Sequence, residues 1–273
     1  MNASTLAGAL VGVSLTAMFT GIASGGTNDI RVLVTSVMDM RSTSDSMPRC
    51  QVQLKFSGDA VSDALGIREI RITAAVDDTG RDLRASPDRM RLGSRFSGGP
   101  ARQLAQMAEL ANPSRNAHAI KTLEGEADLL FPTAENSGLV IAKDFMAKPG
   151  EPLGDPALKK ANVTITYLGK DGSESRSDDV AGEIPVQVPP RRRPSAGPSL
   201  RFSIDDPDRR LVEMTFMDNY GRQVWAGQSG INGTIRSYTF QDDLPTNVRL
   251  FVYLATPDAI KTIPFKIENI ALP

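Results

Sequence analysis

NVRLFVYLATPDAIKTIPFKIENI, residues 247–270, decides the fold class. Val248, Leu250, Val252 and Leu254 fall on one face of an extended strand, and Arg249, Phe251 and Tyr253 fall on the other. A Thr256-Pro257-Asp258 turn follows. Ile263, Phe265 and Ile267 then alternate with Thr262, Pro264, Lys266 and Glu268. A repeat of two marks a strand buried on one face, whereas a helix repeats about every 3.6 residues. Val252 and Phe265 are expected to share one core.

Strands of the same kind precede this run. Leu200, Phe202 and Ile204 form one, Val212, Met214 and Phe216 a second, and Ile235 to Phe240 a third. Asp205-Asp206-Pro207-Asp208 and Asp218-Asn219-Tyr220-Gly221 supply the turns between them, and Val224-Trp225 follows the second. Upstream, Pro189 to Pro198 holds four prolines and the triplet Arg191-Arg192-Arg193, the composition of an extended linker.

A longer run of strands lies before the linker. Ile30, Val32 and Val34 begin it, and Val52, Leu54 and Phe56 alternate cleanly with Gln51, Gln53 and Lys55. Ile70, Ile72 and Ala74 make the next inward row, closed by an Asp77-Asp78-Thr79-Gly80 turn. Leu123, Ala127, Leu129 and Phe131 oppose Glu124, Glu126 and Asp128, then Leu139, Ile141 and Phe145 continue inward. Val163, Ile165 and Tyr167 complete the set. Asp155 can cap one helical turn at Pro156. Leu104 to Ala111 suits a short helix or a strand.

Short alternating strands spaced by Gly, Pro, Asp and Asn predict an all-β protein. The expected form is two antiparallel β-sandwich, immunoglobulin-like modules joined by a Pro/Arg-rich linker. The boundaries so read are 27–190 for the larger module, 191–198 for the linker and 199–273 for the smaller module. Residues 1–24 read as a signal peptide, with an uncleaved anchor and an ordinary buried segment as the rival readings. Leu6 to Ala23 carries no charge, and Gly21 and Ala23 suit a cleavage site, although no Lys or Arg precedes the apolar run. A secreted or periplasmic protein, with no membrane span after cleavage, is the expectation.

Lys plus Arg number 31 against 32 Asp plus Glu, which offers nothing to draw the chain towards nucleic acid. One cysteine, Cys50, excludes an internal disulfide and a cysteine-rich zinc site. One histidine, His118, has no nucleophile-elbow sequence to accompany it. Both are read as structural. Phosphate-cradling glycine loops are absent from the sequence, and no cofactor is implied.

Three sets of residues remain as candidates. Asp77, Asp78 and Asp82 around one turn, and Asp205, Asp206 and Asp208 around another, offer the hard oxygens that calcium takes, without the spacing of an EF-hand. Glu124, Glu126 and Asp128 make an acidic row, the pattern of a solvated strand face or of a carboxylate pair for glycoside chemistry. Trp225 is out of phase with Val224; core packing is its expected role, and ring stacking on a ligand or a domain interface the alternatives, with Tyr253 of the same module a second stacking candidate. The irregular Arg81 to Pro100 excursion is a further place for a binding surface.

Three motifs carry a resemblance. Val76-Asp77-Asp78-Thr79-Gly80-Arg81-Asp82-Leu83, Asn112-Pro113-Ser114-Arg115 running into Ile120 to Gly125, and Ala255-Thr256-Pro257 running to Ile263-Pro264-Phe265-Lys266 resemble uncharacterised exported bacterial proteins with tandem β-sandwich domains. The resemblance implies a strand at Leu104 to Leu110 and carries no catalytic residues with it. The function expected is therefore non-enzymatic: binding or architectural contact with a protein or polysaccharide partner at the cell envelope or outside it. A carbohydrate-binding module is the first alternative, and a hydrolase with an unrecognised carboxylate site the second.

Overall fold

In a computed structural model, residues 30–41, 49–84, 95–96, 104–171, 197–245 and 247–273 are described. The apolar N-terminal stretch, most of the Arg81 to Pro100 excursion and the Pro/Arg-rich run before Gly197 lie outside them. The chain is all-β, built of antiparallel sheets, and divides into two compact units. Unit 1 is Met1–Leu130 with Lys261–Pro273, and unit 2 is Phe131–Ile260.

In unit 1 the strands are β1 (Arg31–Met40), β2 (Arg49–Ser57), β3 (Gly66–Asp77), β4 (Arg95–Phe96), β5 (Leu104–Leu110) and β6 (Ala119–Leu130). Unit 2 contributes β7 (Leu139–Ala142), the short helix α1 (Pro156–Lys160), β8 (Thr164–Asp171), β9 (Ser199–Asp205), β10 (Leu211–Met217), β11 (Gln223–Val224), β12 (Ala226–Asn232), β13 (Ile235–Phe240) and β14 (Arg249–Leu254). The last strand, β15 (Ile260–Ala271), lies in unit 1.

Unit 1 has a three-stranded sheet in the order β1-β2-β5 and a four-stranded sheet in the order β15-β6-β3-β4. The alternation of β2 is as its sequence demands, with Cys50, Val52, Leu54 and Phe56 buried. Leu104–Leu110 is a strand, paired along its whole length with β2. β3 departs from the expected inward row, since Ala75 and Asp77 are buried and Ala74 is not. Its register against β6 shifts between Ile72 and Ala74 and again after Val76, and each shift moves the following side chains to the other face. On β15, Ile263, Phe265, Ile267 and Ile270 are buried. The step of three between the last two is absorbed at Asn269, which takes a left-handed φ of 55°.

Unit 2 has two four-stranded sheets, β11-β10-β14-β7 and β12-β13-β9-β8. Both supply one core: Val140, Met214, Phe216, Leu250, Val252 and Leu254 from the first, and Ile165, Tyr167, Leu200, Phe202, Tyr238 and Phe240 from the second. Aromatic rings join the two. Phe216 of β10 meets Phe202, Tyr238 and Phe240 at centroid distances of 6.1, 5.4 and 5.0 Å. Such pairs add roughly 0.5–1.5 kcal/mol each beyond area burial. Asp155 caps α1 by accepting the Ala157 N–H at 2.8 Å. On β7 the buried residue is Val140, and Ile141 is exposed, the reverse of the expected phase.

Two expectations about organisation change. Val252 and Phe265 do not share a core, because β14 closes on unit 2 and β15 on unit 1. Local alternation fixes that a strand has a buried face and leaves open which partner covers it. The division also differs from 27–190 and 199–273. The strands either side of the Pro/Arg-rich run, β8 and β9, pair with each other from Thr164↔Asp205 to Asp171↔Ser199, so that run connects neighbours in one sheet. Among the described residues, no helix is long and apolar enough to cross a membrane.

Candidate interaction surface

The turn between β10 and β11, and the step from β11 to β12, carry the most exposed aromatic residues of the described chain. Asp218 organises the turn. Its Oδ1 accepts the N–H groups of Tyr220 and Arg222, both at 2.8 Å, and its Oδ2 accepts from Arg222 Nε at 2.7 Å. The Asp218 N–H donates to the Arg222 carbonyl at 2.9 Å, and Gly221 takes φ 76°, a conformation glycine adopts without a Cβ penalty. Arg249 Nη2 adds a bond to the Asp218 carbonyl at 3.0 Å. Burial opposes ionisation of this carboxyl, but the bonds from Arg222 and Tyr220 outweigh it and hold its pKa below the usual range.

On this fixed turn Tyr220 is 83% exposed, with the Arg222 guanidinium 5.2 Å from its ring centroid. Trp225, between β11 and β12, is 71% exposed. The expectation of core packing for Trp225 fails: the two-residue β11 is paired only at Phe216↔Val224 and Met217↔Gln223, so the chain leaves the sheet as Trp225 begins. Tyr253 is the reverse case, only 8% exposed. Burial pushes its phenol above the ordinary value, and its ring is not offered to a ligand. Opposite it in register, Glu213 is raised by burial too, and one of its carboxylate oxygens has no hydrogen-bond partner.

Five of the six carboxylates of the acidic turns accept bonds from neighbouring backbone or side-chain groups. Asp77 accepts from Thr79 N, Thr79 Oγ1 and Arg81 N on Oδ1 at 3.0, 2.6 and 2.9 Å, and from Ser114 N on Oδ2 at 2.9 Å. Burial works against its charge, and these bonds overcome it, holding the carboxyl well below its usual range. Asp78 accepts the His118 N–H at 3.0 Å, and Asp82 pairs with Arg84 at 2.6 Å. Asp206 accepts from Arg210 N and Leu211 N at 2.7 and 2.8 Å, Asp208 from Asn162 Nδ2 at 3.3 Å, and Asp205 ends β9. Among the described residues no group of three His, Cys, Asp or Glu is placed to hold a metal ion.

The Glu124, Glu126 and Asp128 row is laced to cations. Arg71 reaches Asp128 at 2.6 and 3.1 Å, and Glu126 and Glu69 at 3.1 Å each. The Arg71 bond is the main reason that Asp128 titrates below its usual range, with Thr262 Oγ1 adding a bond at 2.7 Å. Lys266 joins Glu124 to Glu268 at 3.1 Å each. This is a clamp across β3, β6 and β15. Cys50 is fully buried, and burial, helped by Asp39, pushes its thiol up to about 12. A thiol so placed has the character of a structural cysteine, not of a reactive one. His118 is exposed and engaged through its backbone.

One open concavity of about 380 Å³ lies beside β7 and α1, lined by Lys143, Asp144, Phe145, Leu153 and Asp155 among others. Its Asp155 is the α1 cap, and its Glu151 pairs with Lys148 at 3.2 Å, so these carboxylates have structural work. The signal that could have found the aromatic surface is the brevity of the strand after Tyr220-Gly221-Arg222, which leaves Trp225 without a pleat to occupy. No family model, no curated protein and no solved structure matches the chain.

Proposed function

We propose that this is an exported, non-enzymatic protein of two immunoglobulin-like sandwich modules that binds a protein partner through Tyr220, Arg222 and Trp225. The observation that carries the reading is the exposure of Tyr220, on a turn pinned by Asp218, and of Trp225, just past the short strand β11 that follows it. Trp, Tyr and Arg are the side chains that most often dominate binding energy when desolvated by a partner. A fixed backbone beneath them reduces the ordering cost of binding. The immunoglobulin-like reading is supported by the strand order of the two sheets in each unit, and export by the charge-free run from Leu6 to Ala23.

The same exposed rings support a second reading, carbohydrate binding, because ring faces stack on the faces of pyranoses. One experiment separates them. The mature protein, with Trp225→Ala and Tyr220→Ala variants, is passed over extracts of the native envelope and, in parallel, over a panel of immobilised polysaccharides. Capture of a defined protein that both variants lose by tenfold or more supports the first reading. Polysaccharide retention lost in the variants supports the second. Capture unaffected by either change removes this surface from both.

A further inference from the structure

The strand orders of the two units match. In unit 1, β2 lies between β1 and β5, and β6 lies between β3 and β15. In unit 2, β9 lies between β8 and β13, and β14 lies between β10 and β7. Reading β1, β2, β3, β5 and β6 against β8, β9, β10, β13 and β14 keeps chain order and every neighbour. The sequence repeats with it. Leu54-Lys55-Phe56-Ser57-Gly58-Asp59, at the end of β2 and just past it, corresponds to Leu200-Arg201-Phe202-Ser203-Ile204-Asp205 on β9, with Leu and Phe buried in both.

The turns after β3 and β10 share the same set of bonds between the Asp and the backbone. Asp77 and Asp218 each accept on Oδ1 from the residues two and four positions on, Thr79 and Arg81 at 3.0 and 2.9 Å, Tyr220 and Arg222 both at 2.8 Å. Each donates its own N–H to the carbonyl of that Arg, at 3.0 and 2.9 Å, and Gly80 and Gly221 both take positive φ. The pair Val76↔Asp82 beyond the first turn matches Met217↔Gln223 beyond the second.

One place breaks chain order. The strand beside β6 is β15, which follows β14, and the strand beside β14 is β7, which follows β6. We propose that the two units are duplicates of one module that have exchanged their closing strands within the chain. Each duplicate supplies the strand that follows its own penultimate one, and each receives the other's. A simple tandem would put β7 on β6 and β15 on β14, with one connection between modules; this chain passes between units twice. The inference goes beyond the binding role and does not rest on it.

Four positions decide it in the full chain. Ile141 of β7 is in register with Phe251 of β14, and Lys266 of β15 is 3.1 Å from Glu124 of β6. Double-cysteine variants are made in the two combinations of the exchange, Ile141→Cys with Phe251→Cys and Glu124→Cys with Lys266→Cys. The two combinations of a simple tandem are Glu124→Cys with Ile141→Cys and Phe251→Cys with Lys266→Cys. Buried Cys50 stays as it is. Under mild oxidation the first two are expected to form monomeric disulfides nearly completely, and the last two only at background. The reverse pattern, or disulfides that link separate chains, overturns the proposal. Should a variant fail to fold, cross-strand amide NOEs in the unsubstituted chain answer the same question. Contacts from β7 to β14 and from β15 to β6 support the exchange, and contacts from β7 to β6 overturn it.

Discussion

The Thr256 hydroxyl donates to the Asn136 carbonyl oxygen at 2.9 Å, across 120 positions of sequence. Close by, the Phe131 N–H donates to the Ala259 carbonyl, and the Leu254 N–H to the Gly138 carbonyl, both at 2.7 Å. The segments entering and leaving unit 2 are thus bonded to each other. Closing so long an excursion while it is unfolded costs about 4 kcal/mol in chain entropy, a cost already met once unit 2 has folded. Unit 2 is therefore expected to form first and to template the closure of unit 1.

A fragment of residues 131–260 should accordingly unfold cooperatively on its own. A fragment ending at Leu130 should not, since it lacks the buried Ile263, Phe265, Ile267 and Ile270. At about 2 kcal/mol for each such side chain the loss is about 8 kcal/mol, comparable with the whole stability of a domain. Circular dichroism with urea titration checks both. A cooperative transition in the fragment ending at Leu130 would show that β15 is dispensable.

Val252→Ala and Phe265→Ala should each cost about 2–5 kcal/mol, but in different units. Cys50, buried in unit 1, reports which one opens. Its reaction with a thiol reagent should accelerate strongly in Phe265→Ala and little in Val252→Ala. Equal acceleration would mean that the units open together.

Gly125 lies beneath Phe265. A Cβ there would come within 2.7 Å of the ring and 2.4 Å of the Arg71 carbonyl oxygen. Gly125→Ala should destabilise unit 1 by about 1–3 kcal/mol, the usual cost of overpacking. Thermal denaturation measures it, and a silent substitution would mean that β6 and β15 can move apart freely.

Asp77 and Asp218 are depressed in the folded protein. The stability they add is present above the unfolded carboxyl range and is lost as pH falls below about 4. Asp77→Asn should flatten that acid limb. Glu213 has the opposite sign: its folded pKa is raised, so its favourable contribution is present below the unfolded value and lost as pH rises through the folded one. Glu213→Gln should therefore stabilise the protein at pH 7 and change little below about pH 4. Urea midpoints across pH test both signs.

Much of this architecture is legible in the sequence, because the period of two in β2, β14 and β15 is local information. Pairing is not local. Nothing in Ile263-Pro264-Phe265 names β6 as its neighbour, and the Pro/Arg-rich run reads as a domain boundary although β8 and β9 pair across it. The repeat of Leu54 to Asp59 in Leu200 to Asp205 was readable, but unequal spacing to Asp77 and Asp218 hides it from a search for a fixed period. The exposed surface was half legible: the turn at Asp218 is plain from its residues, whereas the exit of Trp225 from the sheet depends on where pairing stops.

The position of β15 has a consequence for biosynthesis. The half of the protein made first is the last to be finished, because its seventh strand emerges only after all of unit 2. During that interval, on the order of ten seconds at ordinary translation rates, β6 presents an unpaired edge. An open edge is a template for foreign strands. A nascent chain of this design gains from a chaperone or a translocation channel that covers β6 until Ile260 to Ala271 arrives.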